Sequence, residues 1–441
     1  MEQHSEEALY DIYRRHPRIK IDSREVEPGD LFVGLAGTQV QGSKFAATAL
    51  ASGAAYAIVD DPEVVPGDDE RYLLVPDSLL ALQHLAMEHR RRHRVPVLAI
   101  TGSNGKTTTK ELVHAVMSRR YAVHATPGNY NNHLGLPLTI LSTPEGTEMS
   151  ILEMGANRQG EIAELCRIGR PTHGLITNIG EAHLEGFGGI EGVIIGKGEL
   201  FGYLAGNRGV AFVNADEAHL TDMAKGLDRI VPYLESEAPS KEEPGMETQV
   251  FALHPQLEVG FMDGRGKLLR CTVALSGQHN LQNVKAAIAV GKYFKVPCTE
   301  IAIALSEYRS ANHRSQLLEH SGVHFYWDAY NANPSSVEAS LSGFGQDYPA
   351  NKAAVVLGEM LELGGAAPAA HRRVVLRAGQ VAQTVVLVGP AMAAAAREFD
   401  RPWFADSEAL NAWFWQQDWA DITVFVKGSR GNRLERLLGE H

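Results

Sequence analysis

Residues 97–110 read Val-Leu-Ala-Ile-Thr-Gly-Ser-Asn-Gly-Lys-Thr-Thr-Thr-Lys, and this stretch decides the fold. Val97 to Ile100 predict a buried strand and Gly102 to Gly105 a glycine-rich turn. From Lys106 onward, Leu112, Val113 and Val116 predict a helix. Strand, glycine loop and helix in that order form the setting of a phosphate-binding loop. Glycines let backbone N–H groups close on phosphate oxygens, and the new helix points its positive end at them. Thr101, Gly102, Ser103, Asn104, Gly105, Lys106, Thr107 and Thr108 are therefore nucleotide-binding candidates. Lys106 is expected to neutralise β- and γ-phosphate charge and the Thr107 hydroxyl to ligate Mg²⁺. The strict pattern G-x-x-x-x-G-K-[ST] asks for glycine at position 100, where this chain has Ile100.

The chain has 441 residues, which predicts three domains at ~150 residues each. A hydrophobic content of 44% with 21% charged residues fits a soluble globular protein. The formal net charge of −12 argues against nucleic acid held by a broad basic face, while leaving anionic small substrates open. Cys166, Cys271 and Cys298 form no C-x-x-C pair, so neither a zinc site nor a disulfide framework is indicated. The first residues are acidic and polar, unlike a signal peptide, and no apolar run approaches the ~20 residues that span a bilayer. These features predict a cytoplasmic protein without membrane insertion, and a monomer is expected.

Residues 1–93 read as a small α/β unit, with strands at Leu31–Leu35 and Ala57–Val59 and helices at Phe45–Ser52 and Leu79–Arg92. Its Asp22-Ser23-Arg24 segment could hold a ligand phosphate or base, or form a turn with a salt bridge. The basic run Arg90 to Arg94 closes a helix, where cations complement the C-terminal dipole, and precedes Pro96 at a domain boundary. Residues 94–310 alternate strands and helices as a parallel sheet does. Met149–Leu152 runs into Glu153, and His173–Thr177 into a loop with His183; ligands gather at such strand ends in open α/β sheets. Glu191–Leu204 reads as a helix carrying Lys197. Residues 235–247 read as an exposed excursion, Gln249–Leu275 as an antiparallel hairpin around Asp263–Gly266, and His279–Phe294 as a helix. Residues 311–441 repeat the strand–helix rhythm at Val323–Trp327, Ala353–Leu357, Thr384–Val388 and Ile422–Val426.

Mg²⁺ prefers oxygen ligands and keeps several waters, so one carboxylate, a threonine hydroxyl and phosphate oxygens suffice for a first ion. A second ion could use Glu153 and His183 but would lack an anionic ligand. Lys197 as an ammonium would be repelled by two divalent cations. With its pKa depressed by that field, the neutral amine could take up CO₂ as a carbamate and become a bidentate anion. The alternative is an ordinary helix-surface lysine.

Ile100 to Thr108, Glu153-Met-Gly-Ala156, Thr177-Asn-Ile-Gly-Glu-Ala-His-Leu-Glu-Gly186 and His279-Asn280-x-x-Asn283 together resemble the Mur ligases. These are ATP-dependent amide-forming enzymes of bacterial cytoplasmic peptidoglycan synthesis, in which the missing first glycine of the loop is usual. Further similarity lies in Asp22-Ser-Arg24, Gly29-Asp-Leu-Phe32, Gly128-Asn-Tyr-Asn-Asn132, Gly135-Leu-Pro137, Asp328-Ala-Tyr-Asn-Ala-Asn-Pro334, Leu357-Gly-Glu-Met-x-Glu-Leu-Gly364 and Val426-Lys-Gly-Ser-Arg430. These segments point to the branch that adds D-Ala-D-Ala to UDP-MurNAc-tripeptide. The branch that adds the third peptide residue usually carries Asp-Asn-Pro-x-Arg, absent here, and stands as the alternative, with a P-loop ATPase lacking a ligation step behind it.

The resemblance implies an α/β fold of three domains. Residues 1–93 would bind the UDP substrate, 94–310 would carry the P-loop on a mostly parallel sheet, and a Rossmann-like 311–441 would close on ATP and bind the dipeptide. It implies that Lys106 and Thr107 hold the triphosphate and a first Mg²⁺, and that Glu153, His183 and carbamylated Lys197 bind a second. Asn280 and Asn283 would approach adenine, while Arg314 and Asp328 would reach the nucleotide from the third domain. Ser23 and Arg24 would meet the UDP moiety and Asn129, Asn131 and Asn132 the muramoyl peptide, with Asn331 and Asn333 completing the substrate set.

Overall fold

The computed structural model describes residues 5–37, 40–67, 69–240, 245–310 and 316–439. Three sheets organise them. The first is four-stranded and parallel, in the order β1 (Ile19–Lys20), β2 (Leu31–Val33), β3 (Tyr56–Val59) and β4 (Tyr72–Leu74).

The second sheet contains β5 (Val97–Thr101), β6 (Val123–Ala125), β7 (Met149–Glu153), β8 (His173–Ile176), β9 (Val210–Asn214), β10 (Ile230–Glu235), β11 (Glu247–Ala252), β12 (Leu257–Met262) and β13 (Leu268–Val273). Their order is β13-β12-β11-β10-β9-β8-β5-β7-β6. Every pairing from β6 through to β11 is parallel, and only β11–β12 and β12–β13 are antiparallel. All five residues of β5 are buried, as expected of a strand covered on both faces. The expected hairpin over 249–275 is in fact three strands. Pro255, which has no amide to donate, falls between β11 and β12, and Asp263–Gly266 joins β12 to β13. Part of the expected excursion at 235–247 lies outside the described residues, as does Arg314.

The third sheet holds β14 (Gln316–His320), β15 (Val323–Trp327), β16 (Ala353–Gly358), β17 (Thr384–Val388), β18 (Trp403–Phe404) and β19 (Thr423–Lys427), in the order β14-β15-β19-β16-β17-β18. Only β14 runs antiparallel to its neighbour. The fold is thus α/β with mostly parallel sheets in three lobes, and no described helix is long and apolar enough to cross a membrane.

The cores follow from the sheets. On one face of the central sheet, Leu9 and Tyr10 of the Glu6–Arg15 helix and Leu82 and Leu85 of the Ser78–Arg92 helix join a cluster with Leu136, Leu152 and Leu165. The N-terminal lobe's helices therefore share a core with the central lobe. On the other face, the helices Lys106–Met117 and Gln278–Tyr293 pack over Leu98, Ile100 and Ile151. Each such fully buried aliphatic side chain contributes roughly 1.5–3 kcal/mol. Gly174 in β8 lets the Ile190–Gly206 helix approach closely, because a Cβ there would stand 2.7 Å from Leu204 Cδ1. That helix carries Lys197.

Candidate active site

The carboxyl ends of β5, β7 and β8 open into a cavity of about 710 Å³ that the C-terminal lobe covers. The phosphate loop leaves β5 in a conformation only glycine tolerates. Gly102 has φ +138°, and a Cβ on it would lie 2.0 Å from Thr177 Oγ1; Gly105 has φ +77°, and a Cβ there would lie 2.4 Å from Asn283 Oδ1. The loop is held from the end of β8. Thr177 Oγ1 donates to Asn104 O at 2.6 Å, Asn178 Nδ2 donates to the same oxygen at 3.0 Å, and Asn104 N donates to Asn178 Oδ1 at 3.0 Å. The Lys106–Met117 helix begins directly after Gly105 and presents its N-terminus to the cavity. Lys106 Nζ folds back onto the loop, donating to Gly102 O at 2.7 Å and Ser103 O at 3.2 Å.

Glu153 ends β7 at 1% exposure. Its Oε1 accepts from Thr107 Oγ1 at 3.2 Å and from Asn131 Nδ2 at 2.8 Å. Its Oε2 accepts no hydrogen bond and faces Lys110 Nζ at 3.6 Å. A buried carboxylate with one oxygen unfilled, beside a threonine hydroxyl and a phosphate loop, has the donor chemistry of a Mg²⁺ site. Among the described residues no three His, Cys, Asp or Glu side chains cluster as a ready-made cage.

His183 sits at φ +54° before the short Leu184–Phe187 helix, and its Nδ1 is paired with Glu362 of the C-terminal lobe. Burial pushes its pKa below the usual range, with Glu362 opposing the shift and Lys106 and Lys197 reinforcing it. Lys197 is 1% exposed, so the helix-surface reading does not hold. Its Nζ donates to Ala156 O at 3.1 Å and lies 4.9 Å from the centroid of the Phe187 ring. Burial first, and the charge of Lys106 second, hold its pKa well below the ordinary lysine value, against the pull of Glu161 and Glu199.

From the third lobe, buried Asp328 accepts from Lys427 Nζ at 2.6 Å and from Ser340 Oγ at 3.0 Å. Lys427 also donates to Asn331 O at 3.1 Å. Asn333 and Ser336 form a reciprocal capping box on the Pro334–Asp347 helix. Asn333 Nδ2 donates to Asn104 Oδ1 at 2.7 Å, and Asn104 Nδ2 to Ser335 Oγ at 3.1 Å, so the lobe is fastened to the phosphate loop itself. Arg373 adds ion pairs to Glu181 and, at 2.6 Å, to Glu338.

Most sequence candidates meet here. Ser103 to Thr108, Glu153, His183, Asn129, Asn131, Asn132, Asn280, Asn283, Asp328, Asn331 and Asn333 line the one cavity. Thr101 is buried in β5, and Gly102 turns away beneath the loop. Several asparagines have local duties. Asn132 Oδ1 accepts from Leu134 N and Gly135 N at 3.1 and 2.9 Å, starting the Gly135–Leu141 helix. Asn283 Oδ1 accepts from Thr109 Oγ1 at 3.0 Å and braces Gly105, while Asn280 Nδ2 donates to Ser276 O at 2.9 Å. Ser23 and Arg24 lie apart in a turn where the exposed Arg24 guanidinium holds Asp22 and lowers its pKa to about 2. Sequence reading missed Lys110, Thr177, Asn178, Ser335 and Lys427. Lys110 carries a signal in its spacing, one helical turn beyond Lys106.

Three family models match the chain: "Mur ligase family, catalytic domain" over residues 17–98, "Mur ligase middle domain" over 100–291, and "Mur ligase, glutamate ligase domain" over 313–430. The UDP-N-acetylmuramoyl-tripeptide–D-alanyl-D-alanine ligase of Treponema pallidum is 34% identical over 444 residues, covering 95% of this chain and 92% of its own. That of Bacillus subtilis is 35% identical over 373 residues, covering 80% and 76%. MurF from Acinetobacter baumannii superposes with a TM-score of 0.85 at 28% identity, covering 100% of this chain and 98% of its own. MurF ligase from Thermotoga maritima in complex with ADP superposes at 0.81 and 27%, covering 97% of each.

Proposed function

The chain belongs to the Mur ligase family, and we propose that it joins D-Ala-D-Ala to the terminal carboxylate of UDP-MurNAc-tripeptide at the expense of ATP. The observation that carries this is the fastening of Asn333 and Ser335 to Asn104: a phosphate loop and a second substrate-sized lobe face one cavity. Relatives bearing that activity match 80% and 95% of the chain's length. Neither the third-residue ligase nor a simple ATPase has a specific observation in its favour.

On this reading residues 1–93 take the UDP end, 94–310 bind ATP, and 311–441 close over it and receive the dipeptide, in a monomeric cytoplasmic enzyme of bacterial peptidoglycan synthesis. The tripeptide carboxylate attacks the γ-phosphate in line and releases ADP. The dipeptide amine then attacks the acyl phosphate carbon, and the tetrahedral adduct collapses to amide and phosphate. Lys106 would neutralise charge on the transferring group, allowing two anions to meet. Thr107 and Glu153 would hold one Mg²⁺, and Glu153, His183 and carbamylated Lys197 a second; bound there, the ions supply charge stabilisation at the phosphoryl oxygens. The depressed Lys197 pKa supports the carbamate, because only a neutral amine adds to CO₂. Closure of the third lobe excludes water that would hydrolyse the acyl phosphate. Asp328 and Lys427 extend the nucleotide's surroundings from that lobe.

Phosphate release is the test. It should require UDP-MurNAc-tripeptide and D-Ala-D-Ala together, and equal release without either would overturn the ligase reading.

A further inference from the structure

At the opposite ends of the same strands lies a second cavity, of about 710 Å³. It opens where the chain enters β5, β8, β9 and β10, at Val95, Thr172, Gly209 and Arg229. Arg90, Arg91, Arg94, Arg170, Arg208 and Arg229 face it, and no described aspartate or glutamate lines it. In a chain of net charge −12 this is a local reversal of sign.

Part of that charge serves the fold. Arg90 Nε donates to Gly169 O and Nη2 to Val95 O, both at 3.1 Å, capping the Glu161–Gly169 helix. Arg91 pairs with Glu88 at 2.7 Å, and Arg229 Nη1 donates to Arg208 O at 3.3 Å. The side chains of Arg94, Arg170 and Arg208 have no hydrogen-bond or ion-pair partner among the described residues. Two of these three stand where arginine is unfavourable. Arg170 (φ +45°) and Arg208 (φ +54°) hold left-handed backbone just past the helices Glu161–Gly169 and Ile190–Gly206. Glycine or asparagine suits such positions. The C-termini of those two helices and of Ser78–Arg92 offset some of the charge. Each supplies about −0.5 of an elementary charge and Glu88 offsets Arg91, so roughly three to four of the six positive charges are left unbalanced.

Guanidinium forks lining a concave site match phosphate oxygens bidentately. We propose that this cavity is a second anion site, taking a multiply charged phosphate compound, separate from the nucleotide cleft and independent of the ligase reading. Arg90, Arg91 and Arg94 flank the end of the Ser78–Arg92 helix, whereas Arg170, Arg208 and Arg229 sit on the central sheet's connections. A bound anion would therefore bridge the first lobe to the second.

The test titrates inorganic tripolyphosphate without Mg²⁺ by calorimetry and thermal shift, every protein compared also carrying Lys106→Ala to disable the phosphate loop of the nucleotide cleft. One equivalent should bind, more weakly as salt is raised. The Arg170→Gly/Arg208→Gly protein should fold with an unchanged or higher melting temperature, because glycine accepts both φ values, and should bind at least about tenfold more weakly. Absent binding with both arginines intact, or equal affinity in the double variant, overturns the proposal. A parallel arm sediments the protein with phosphatidylglycerol vesicles, using phosphatidylcholine as control. Sedimentation lost in the double variant assigns the phosphate to a lipid headgroup, whereas tripolyphosphate binding without sedimentation assigns it to a soluble ligand. Sedimentation that persists in the double variant, with no tripolyphosphate binding, counts against the site.

Discussion

Replacing Lys197 by methionine should stabilise the protein while abolishing ligation. The Lys197 side chain is 1% exposed, and among the described residues its amine donates one hydrogen bond, to Ala156 O at 3.1 Å. Losing that bond costs about 1 kcal/mol. Burying this lysine makes folding shed at pH 7 a proton that the unfolded chain keeps, which costs several kcal/mol that methionine avoids while keeping the packing against Phe187. The net gain is about 1–3 kcal/mol at pH 7, or roughly 2–4 °C per kcal/mol for a lobe of this size. The sign of the pH dependence follows from linkage. The folded pKa of Lys197 is lowered, so the unfolded chain binds a proton the folded chain does not, and wild-type stability rises with pH up to the unfolded value of ~10.4. The advantage of K197M should therefore shrink between pH 7 and pH 9.5. Melts in CO₂-free buffer at the two pH values measure this, phosphate release measures turnover, and ¹³C-bicarbonate labelling reports a carbamate in the wild type alone. A lower melting temperature for K197M at pH 7, or an advantage that does not shrink, would refute the buried neutral amine; retained turnover would remove Lys197 from the mechanism.

Gly102→Ala should weaken ADP binding by more than ~100-fold, since its Cβ would lie 2.0 Å from Thr177 Oγ1 at φ +138° and the loop must shift; calorimetry giving an unchanged Kd would contradict this. Asn104→Ala removes both bonds to Asn333 and Ser335, worth about 2 kcal/mol together, so closure should weaken ~30-fold. Small-angle scattering should then show a larger radius of gyration, and an unchanged radius counts against the fastening. His89 is held at about pKa 4, by burial first and by His93 second. The stability it contributes is present above ~6.5 and lost as pH falls toward 4, so H89F should flatten the acid limb by up to ~1.4 kcal/mol per pH unit. The flattening is partial, because His173 and His279, also near 4, share that limb. An acid limb as steep as the wild type's would mean that His89 does not titrate there.

How much of this was legible in the sequence depended on whether cause and effect lay close in the chain. The strand, loop and helix at 97–117 could be read because four apolar residues, the glycines and the lysine are consecutive. Glu153 and His183 could be placed because residues just past parallel strands collect at one edge of the sheet. The braces on the loop were invisible: Thr177 and Asn178 act on Asn104 only because β8 lies beside β5. The pairing of His183 with Glu362 depends on how two lobes dock, which no local pattern encodes. Asn132, assigned to substrate from its motif, also accepts from the amides of Leu134 and Gly135 at the start of a helix, a local duty that the motif does not announce. At 249–275 the alternation marked strands correctly, but a single proline altered their number.

The core shared by the Glu6–Arg15 and Ser78–Arg92 helices with the central sheet turns the first two lobes into a calliper. If the UDP end is gripped by one jaw, the distance from that grip to the phosphate loop is set by packed side chains and does not adjust to the guest. An extended peptide spans ~3.3–3.6 Å per residue. A substrate one residue short would leave its carboxylate about that far from the γ-phosphate, well beyond the separation at which attack occurs. Selection of peptide length would then be a property of a rigid joint remote from the reacting atoms, and mutations that loosen Leu82 or Leu85 would surface as lost length discrimination before they surface as lost chemistry.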